Sequence, residues 1–165
     1  MARLYSPDIW YADSVDDISS VCDIRRVLHK FHVTTRLASN ITPAQKLFDK
    51  SFAYHLSDCN TPIIGAFVKR VLEIYPRLKF KNVTNMWNVV SDVCVQYPNR
   101  NTEWAWEVVT RDLPDFDIRR FNSWLSQADT ETIFHPPALV HAAPTNPVAG
   151  IVAVDGDVLN KQPVS

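Results

Sequence analysis

Six basic side chains lie close together near the start of this 165-residue chain: Arg25, Arg26, His29, Lys30, His32 and Arg36. Arg25 precedes His29 by four residues, so a helix would place both on one side. The same interval separates Arg26 from Lys30. Arginine binds phosphate as a bidentate fork and lysine binds it as a point charge. The spacing predicts a surface that contacts nucleic-acid backbone, with a solvated helix face as the alternative.

Other arrangements of reactive side chains are incomplete. Asp16 and Asp17 fall in the first turn of a predicted helix, where the helix dipole favours negative charge. The three cysteines are widely separated and lack the paired spacing of a zinc site. Only three glycines occur, and no Gly-rich loop that would cradle phosphate is present. The sequence therefore predicts neither catalytic residues nor metal ligands in this chain.

The charge of this chain is unevenly distributed between its two halves. Residues 1–81 carry twelve Lys and Arg against eight Asp and Glu, whereas residues 82–165 carry five against ten. The resulting balances of +4 and −5 make the first half mildly basic, which suits a phosphate-facing surface, with an ordinary solvated surface as the alternative. The sequence contains no run of 18 apolar residues, so no membrane segment is predicted in this chain. The odd, unclustered cysteines favour a reducing compartment.

The hydrophobic pattern predicts a mainly α-helical bundle with a short N-terminal β arm and an extended C-terminal tail. The arm covers residues 2–12, and Asp115 is the predicted cap of the last helix. Proline follows threonine at the start of two helices, a common helix beginning. The predicted helices cover residues 16–31, 43–56, 62–75, 84–96, 102–113 and 116–127.

The chain divides into a helical domain, residues 1–127, and a Pro-containing tail or linker, residues 128–165. The tail lacks the apolar periodicity of a packed helix, so an extended segment is expected. Asp155 and Gly156 lie between short apolar stretches and predict a small hairpin near residues 150–159.

Three short motifs resemble a known family. They are ARLY at residues 2–5, KFHVT at 30–34 and SDCNTPIIG at 57–65. In order and spacing they are similar to the primer grip, a K-L-H-L-T segment and a T-D-x-x-T-P turn of nodavirus-type RNA-dependent RNA polymerases. Alanine replaces the grip glycine, and serine replaces the threonine of the turn. The resemblance covers residues 2–76 and corresponds to the thumb region.

The resemblance implies a thumb that positions viral RNA template and product during viral RNA replication. The palm and fingers of the same polymerase, a nucleotidyltransferase, would precede Met1. No Gly-Asp-Asp catalytic motif occurs here, so this chain is not expected to be catalytic on its own. Mg or Mn would bind in the palm, with no cofactor in this chain. Arg3 would lie near the 3′ end of the product strand, and the protein would work in the host cytoplasm at viral replication complexes.

Two other interpretations remain open from the sequence. One is a free-standing helical nucleic-acid-binding protein that reads its target with the helix at 16–31. The other is a structural or adaptor module that interacts through Trp104, Trp106 and the Pro-containing tail. A nucleic-acid-binding protein would bind in a salt-dependent way, whereas an adaptor would not.

Overall fold

The computed structural model describes residues 3–10, 19–34, 37–80 and 101–140, together with two short strands near the C-terminus. Within these residues the fold is mainly α-helical with a short N-terminal β arm, as predicted. The predicted helix at 84–96 and Arg36 lie outside the described residues. The strands are β1 Arg3–Tyr5, β2 Ser20–Cys22, β3 Ala153–Val154 and β4 Asp157–Val158. The α-helices are α1 Ile24–Lys30, α2 Pro43–Asp58, α3 Ile64–Ile74, α4 Thr102–Asp112 and α5 Ile118–Gln127.

The β arm corrects the predicted helix at 16–31. Strand β1 pairs antiparallel with β2, with Leu4 opposite Val21. The helix begins only after Asp23, whose side chain accepts a hydrogen bond from the backbone N–H of Arg26 at 3.0 Å. Strand pairing and this cap together override the helical spacing of the apolar residues before residue 24. Residues 16–18 of the predicted helix lie outside the described residues.

Three of the other helices begin with the same capping chemistry, whereas α3 has no side-chain cap. A side-chain oxygen accepts the backbone N–H three residues later in α2, α4 and α5, from Thr42, Asn101 and Asp117 respectively. The predicted cap at Asp115 is wrong by two residues, because the chain makes a further turn before α5 begins. Each such cap stabilises a helix by about 1 kcal/mol.

A single large apolar cluster lies between α1, α2, α3 and α5. Helices α2 and α3 pack most extensively against each other. A smaller cluster joins β2 to α4 through Val21, Ala105 and Val108. The fully or almost fully buried side chains of the main cluster include Ile24, Leu47, Ile64, Phe67, Val68, Val71, Phe121 and Ile133. Burial of each such side chain contributes about 1.5–3 kcal/mol.

The first part of the predicted tail folds onto the helices. Residues 132–134 form a 3-10 turn that buries Ile133 in the main cluster. The backbone N–H of Asp117 donates to the carbonyl of Leu139 at 2.7 Å, and Phe116 forms a β-bridge with Val140. Ala128, Phe134 and Leu139 also belong to or pack against this cluster, so residues 128–140 contact the helical bundle. Strands β3 and β4 pair antiparallel within the stretch predicted as a hairpin.

None of the described helices is both long enough and apolar enough to cross a lipid bilayer.

Candidate nucleic-acid interface

Helix α1 presents its cations and its apolar side chains on opposite faces. Ile24 and Val27 are buried, and Phe31 is buried directly after the helix. The four cations of the helix, Arg25, Arg26, His29 and Lys30, are exposed. No described carboxylate lies within ion-pair distance of any of these four side chains. These four predicted cations are therefore exposed to solvent and are not held in ion pairs by the described residues.

The exposed cations divide between two sides of the helix. Arg25 and His29 line a groove of about 310 Å³ whose other wall includes Asp112 and Asp115. A hydrogen bond from Arg111 is the main cause of the lowered pKa of Asp112, and the charges of Arg111 and Arg25 add to it. Two basic and two acidic side chains therefore share one groove.

On the other side, the end of α1 contacts Lys50 of α2. The Nζ atom of Lys50 donates to the carbonyl oxygens of Val33 at 2.6 Å, Phe31 at 3.1 Å and Lys30 at 3.4 Å. Burial lowers the pKa of Lys50, and the charge of Lys46 one turn earlier lowers it further. Lys50 thus satisfies carbonyls at the end of α1 that have no partner within the helix. The sequence patterns did not single out these lysines, although their i, i+4 spacing was visible.

His32 occupies a partly enclosed position behind α1. Its Nε2 atom lies 3.1 Å from the carbonyl oxygen of Ile133, and its ring contacts Phe67 and Phe134 edge-on. Burial is the largest cause of a lowered pKa, so the neutral imidazole is favoured. With Nε2 protonated, the ring donates to Ile133. The ring therefore fastens residues 132–134 to the bundle and contributes little positive charge at neutral pH.

Arg3 is largely buried and forms an ion pair with Asp58. Its side chain is only 8% exposed, and its guanidinium donates to both carboxylate oxygens of Asp58 at 3.0 and 3.2 Å. It also donates to the hydroxyl and the carbonyl of Ser20. The predicted contact of Arg3 with RNA remains a prediction, and its guanidinium is bonded to Asp58 in this structure. Arg36, the remaining predicted contact, lies outside the described residues.

Asp58 is the centre of a buried polar network that the sequence motifs did not predict. Its carboxylate is fully buried and accepts from the hydroxyls of Ser57 and Thr61, both at 2.8 Å. It also accepts from the backbone N–H of Cys22 at 3.0 Å. Burial and the Asp58 charge raise the pKa of the Cys22 thiol, which stays protonated. An aspartate followed three residues later by threonine was the available signal.

The turn between α2 and α3 has a tightly determined shape. Ile63 has a φ of 67°, which is rare for a β-branched residue, and the N–H of Ile64 donates to the carbonyl of Pro62 at 2.7 Å. A Cβ atom at Gly65 would overlap the carbonyl oxygen of Cys59. The strain at Ile63 persists because the buried Asp58 network and the core hold both sides of the turn.

The three sequence motifs meet in space. Arg3, in residues 2–5, pairs with Asp58 in residues 57–65. Phe31, in residues 30–34, packs edge-on against Phe67 just beyond the third motif, with ring centroids 4.8 Å apart. Phe31 of the second motif and Ile63 and Ile64 of the third also lie in one core cluster, so the motifs form one connected structural unit. No group of three or more His, Cys, Asp or Glu side chains in the described part of the chain is placed to hold a metal ion.

Two viral enzymes are similar to part of this chain. The RNA-directed RNA polymerase of Pieris rapae virus is 37% identical over 75 residues, or 46% of this chain. That of Pariacoto virus is 36% identical over 69 residues, or 42% of this chain. Each match spans 7% of the relative's length. No family model and no solved structure matches. Over less than half of its length, this chain is thus similar to viral RNA-directed RNA polymerases.

Proposed function

We propose that this chain is the thumb region of a viral RNA-directed RNA polymerase and that it positions template–product RNA during viral RNA replication. The observation that carries the proposal is the exposed cationic face of α1, set opposite its buried apolar face. Such a face binds the phosphate backbone without reading sequence, and its affinity falls as salt rises.

The buried network around Asp58 supports a role in RNA positioning for the β arm and for the turn between α2 and α3. Asp58 joins β1, β2 and the turn before α3, so the arm cannot move independently of the bundle. A rigid arm would hold the cations of α1 in a constant position relative to the rest of a polymerase. In this proposal Arg3 stabilises the thumb, and the contact with RNA falls to α1.

The chemistry of nucleotide addition would belong to the palm. The sequence contains no Gly-Asp-Asp motif, and the described residues offer no cluster of metal ligands. Under this proposal Mg or Mn binds outside the described residues of this chain. The contribution of this chain is then to affinity and placement of RNA.

A primer-extension assay on the polymerase that carries this segment tests the proposal. R26A/K30A removes two exposed cations of α1, and R119A/R120A removes two exposed cations of α5 as a charge-matched control. We expect R26A/K30A to weaken binding of primer–template RNA about 5- to 20-fold, as loss of two backbone contacts allows, with the extension rate at saturating RNA unchanged. The control should lie within about 2-fold of wild type.

Two results would contradict the proposal. One is equal RNA affinity for R26A/K30A and wild type. The other is an isolated chain that binds RNA as tightly as the same chain joined to polymerase domains, which is the behaviour of a free-standing RNA-binding protein. Binding to a protein partner that is insensitive to salt would favour the adaptor interpretation instead.

A further inference from the structure

We propose that the RNA backbone crosses this chain along four cations on two helices, Arg26 and Lys30 of α1 with Lys50 and Lys46 of α2. The groove beside Arg25 and His29 is not part of this path. The inference rests on the proposed RNA-positioning function and assigns its phosphate contacts to Arg26, Lys30 and Lys46, with Lys50 as a positioning residue between them. Compared with the surface predicted from sequence spacing, this path includes Lys46 and Lys50. It leaves out Arg25 and His29.

The first support is the contact between the two helices. The Lys50 ammonium reaches the carbonyl of Lys30, so the end of α1 lies against the middle of α2. One turn further along each helix, the charge of Arg26 acts on the Tyr54 hydroxyl and lowers its otherwise raised pKa. Lys46 lies one turn to the other side of Lys50, close enough to lower its pKa. The four cations therefore follow one another across the junction of α1 and α2.

The second support is electrostatic. The carboxyl end of a helix carries partial negative charge, which repels phosphate. At the end of α1 the Lys50 ammonium is bonded to three carbonyl oxygens and offsets that charge. Phosphate that approaches Lys30 and Lys46 then meets less of this partial negative charge. Lys50 acts here as a positioning residue, since its own hydrogen bonds are used by the protein.

The third support is the acidic wall beside Arg25. Asp112 and Asp115 line the same groove as Arg25 and His29. The lowered pKa of Asp112 keeps that carboxylate ionised at neutral pH. A phosphate entering this groove would meet two negative charges as well as the positive ones. No described carboxylate lines the corresponding cavity of about 160 Å³ beside Lys46 and Lys50.

Neighbouring residues of the same type provide the test. R25A and R26A differ by one position on α1, and each removes one exposed guanidinium. K46A on α2 is matched by K69A on α3, where Lys69 is exposed on another helix. The full chain, wild type and each variant, is titrated with a fluorescein-labelled 16-base-pair RNA duplex over a range of salt concentrations. NMR titration with the same duplex extends the measurement to weak binding.

We expect R26A and K46A each to weaken binding about 2- to 5-fold and to reduce the salt slope by about one unit. R25A and K69A should change affinity less than about 1.5-fold. K50M should weaken binding at least as much as K46A, because it also uncovers the carbonyls of α1. K50R, which keeps the charge, should recover most of that loss.

Different outcomes separate the two proposals. Equal weakening by R25A and R26A, or by K46A and K69A, overturns the path but leaves RNA binding by α1 in place. A wild-type chain that shows no chemical-shift change with RNA at low salt overturns the path, whereas the RNA-positioning function is decided by the primer-extension assay on the whole polymerase. Weakening by K50M without any loss in K46A assigns Lys50 a structural role only and overturns the extension onto α2.

Discussion

Helices α1 and α5 begin with the same four residues, Asp-Ile-Arg-Arg, at positions 23–26 and 117–120. Their caps are also alike: the backbone N–H of Arg26 lies 3.0 Å from the Asp23 carboxylate, and that of Arg120 lies 2.9 Å from Asp117. Each start follows a β-paired residue, Cys22 in β2 or the bridged Phe116. Four residues thus suffice to set the helix start in two unrelated surroundings.

The two helices differ in the next turn. Four residues after the second arginine, α1 has the exposed Lys30, whereas α5 has Trp124, which packs against Phe67 and Phe121. The position of the apolar residues decides which side of each helix faces the core. It therefore decides whether a second exposed cation can lie one turn after the arginine. A shared arginine pair therefore predicts a helix start, and the following turn predicts the surface.

The largest expected difference between the two helix starts comes from Asp58, which anchors only the first. D58A leaves Arg3 and the Cys22 N–H without their buried acceptor, so we expect a loss of about 3–5 kcal/mol in the free energy of unfolding. Urea denaturation measures the total. Amide exchange should show α1 losing protection before α5. Equal loss of protection in both helices would show that Asp58 does not anchor α1 selectively.

A smaller loss of stability is expected from a substitution at Gly65, at the start of α3 beside the turn that follows Asp58. G65A places a methyl group against the carbonyl of Cys59, and the backbone on both sides is held by the buried network. We expect a cost of about 1–3 kcal/mol, measured as a shift of the urea midpoint. A66S, at an exposed neighbouring position in α3, is the control and should change stability far less. A G65A protein as stable as wild type would mean that the turn can relax.

Removal of either helix cap, Asp23 or Asp117, should lower the free energy of unfolding by nearly the same amount. D23A and D117A each delete a side-chain acceptor of one N–H, so each should lower the free energy of unfolding by about 1 kcal/mol. Thermal or urea unfolding of the two variants gives the comparison directly. A difference of more than about 1 kcal/mol would show that the surroundings, and not the shared four residues, dominate these helix starts.

The smallest expected effect is a pH dependence that arises beside α1. Burial lowers the folded-state pKa of His32, so the unfolded chain binds the proton more readily. The contribution of His32 to stability is complete above about pH 7 and declines as pH falls through its ordinary value near 6.5. Urea midpoints between pH 7.5 and 5.5 should fall less in H32Q than in wild type. Parallel pH profiles would contradict this assignment.

Sequence patterns predicted the helices whose apolar spacing agrees with the core, and the exposed cations of α1. They missed β2 because Val21 and Cys22 fit a helical spacing as well as a strand, and only pairing with β1 distinguishes the two. The burial of Arg3 depends on Asp58, which lies 55 residues away, so local spacing carries no information about it. The packing of Ile133 was missed for the same reason, since its partners lie on distant helices.

The proposed RNA-binding role distinguishes the exposed cations of α1 from those of α5. The most direct measurement uses the polymerase that carries this segment. The salt dependence of its binding to a primer–template RNA is compared for wild type, R26A/K30A and R119A/R120A. We expect the slope of log affinity against log salt to become less steep by about two units in R26A/K30A and to stay at the wild-type value in R119A/R120A. Identical slopes for the two variants would contradict the assignment of the RNA surface to α1.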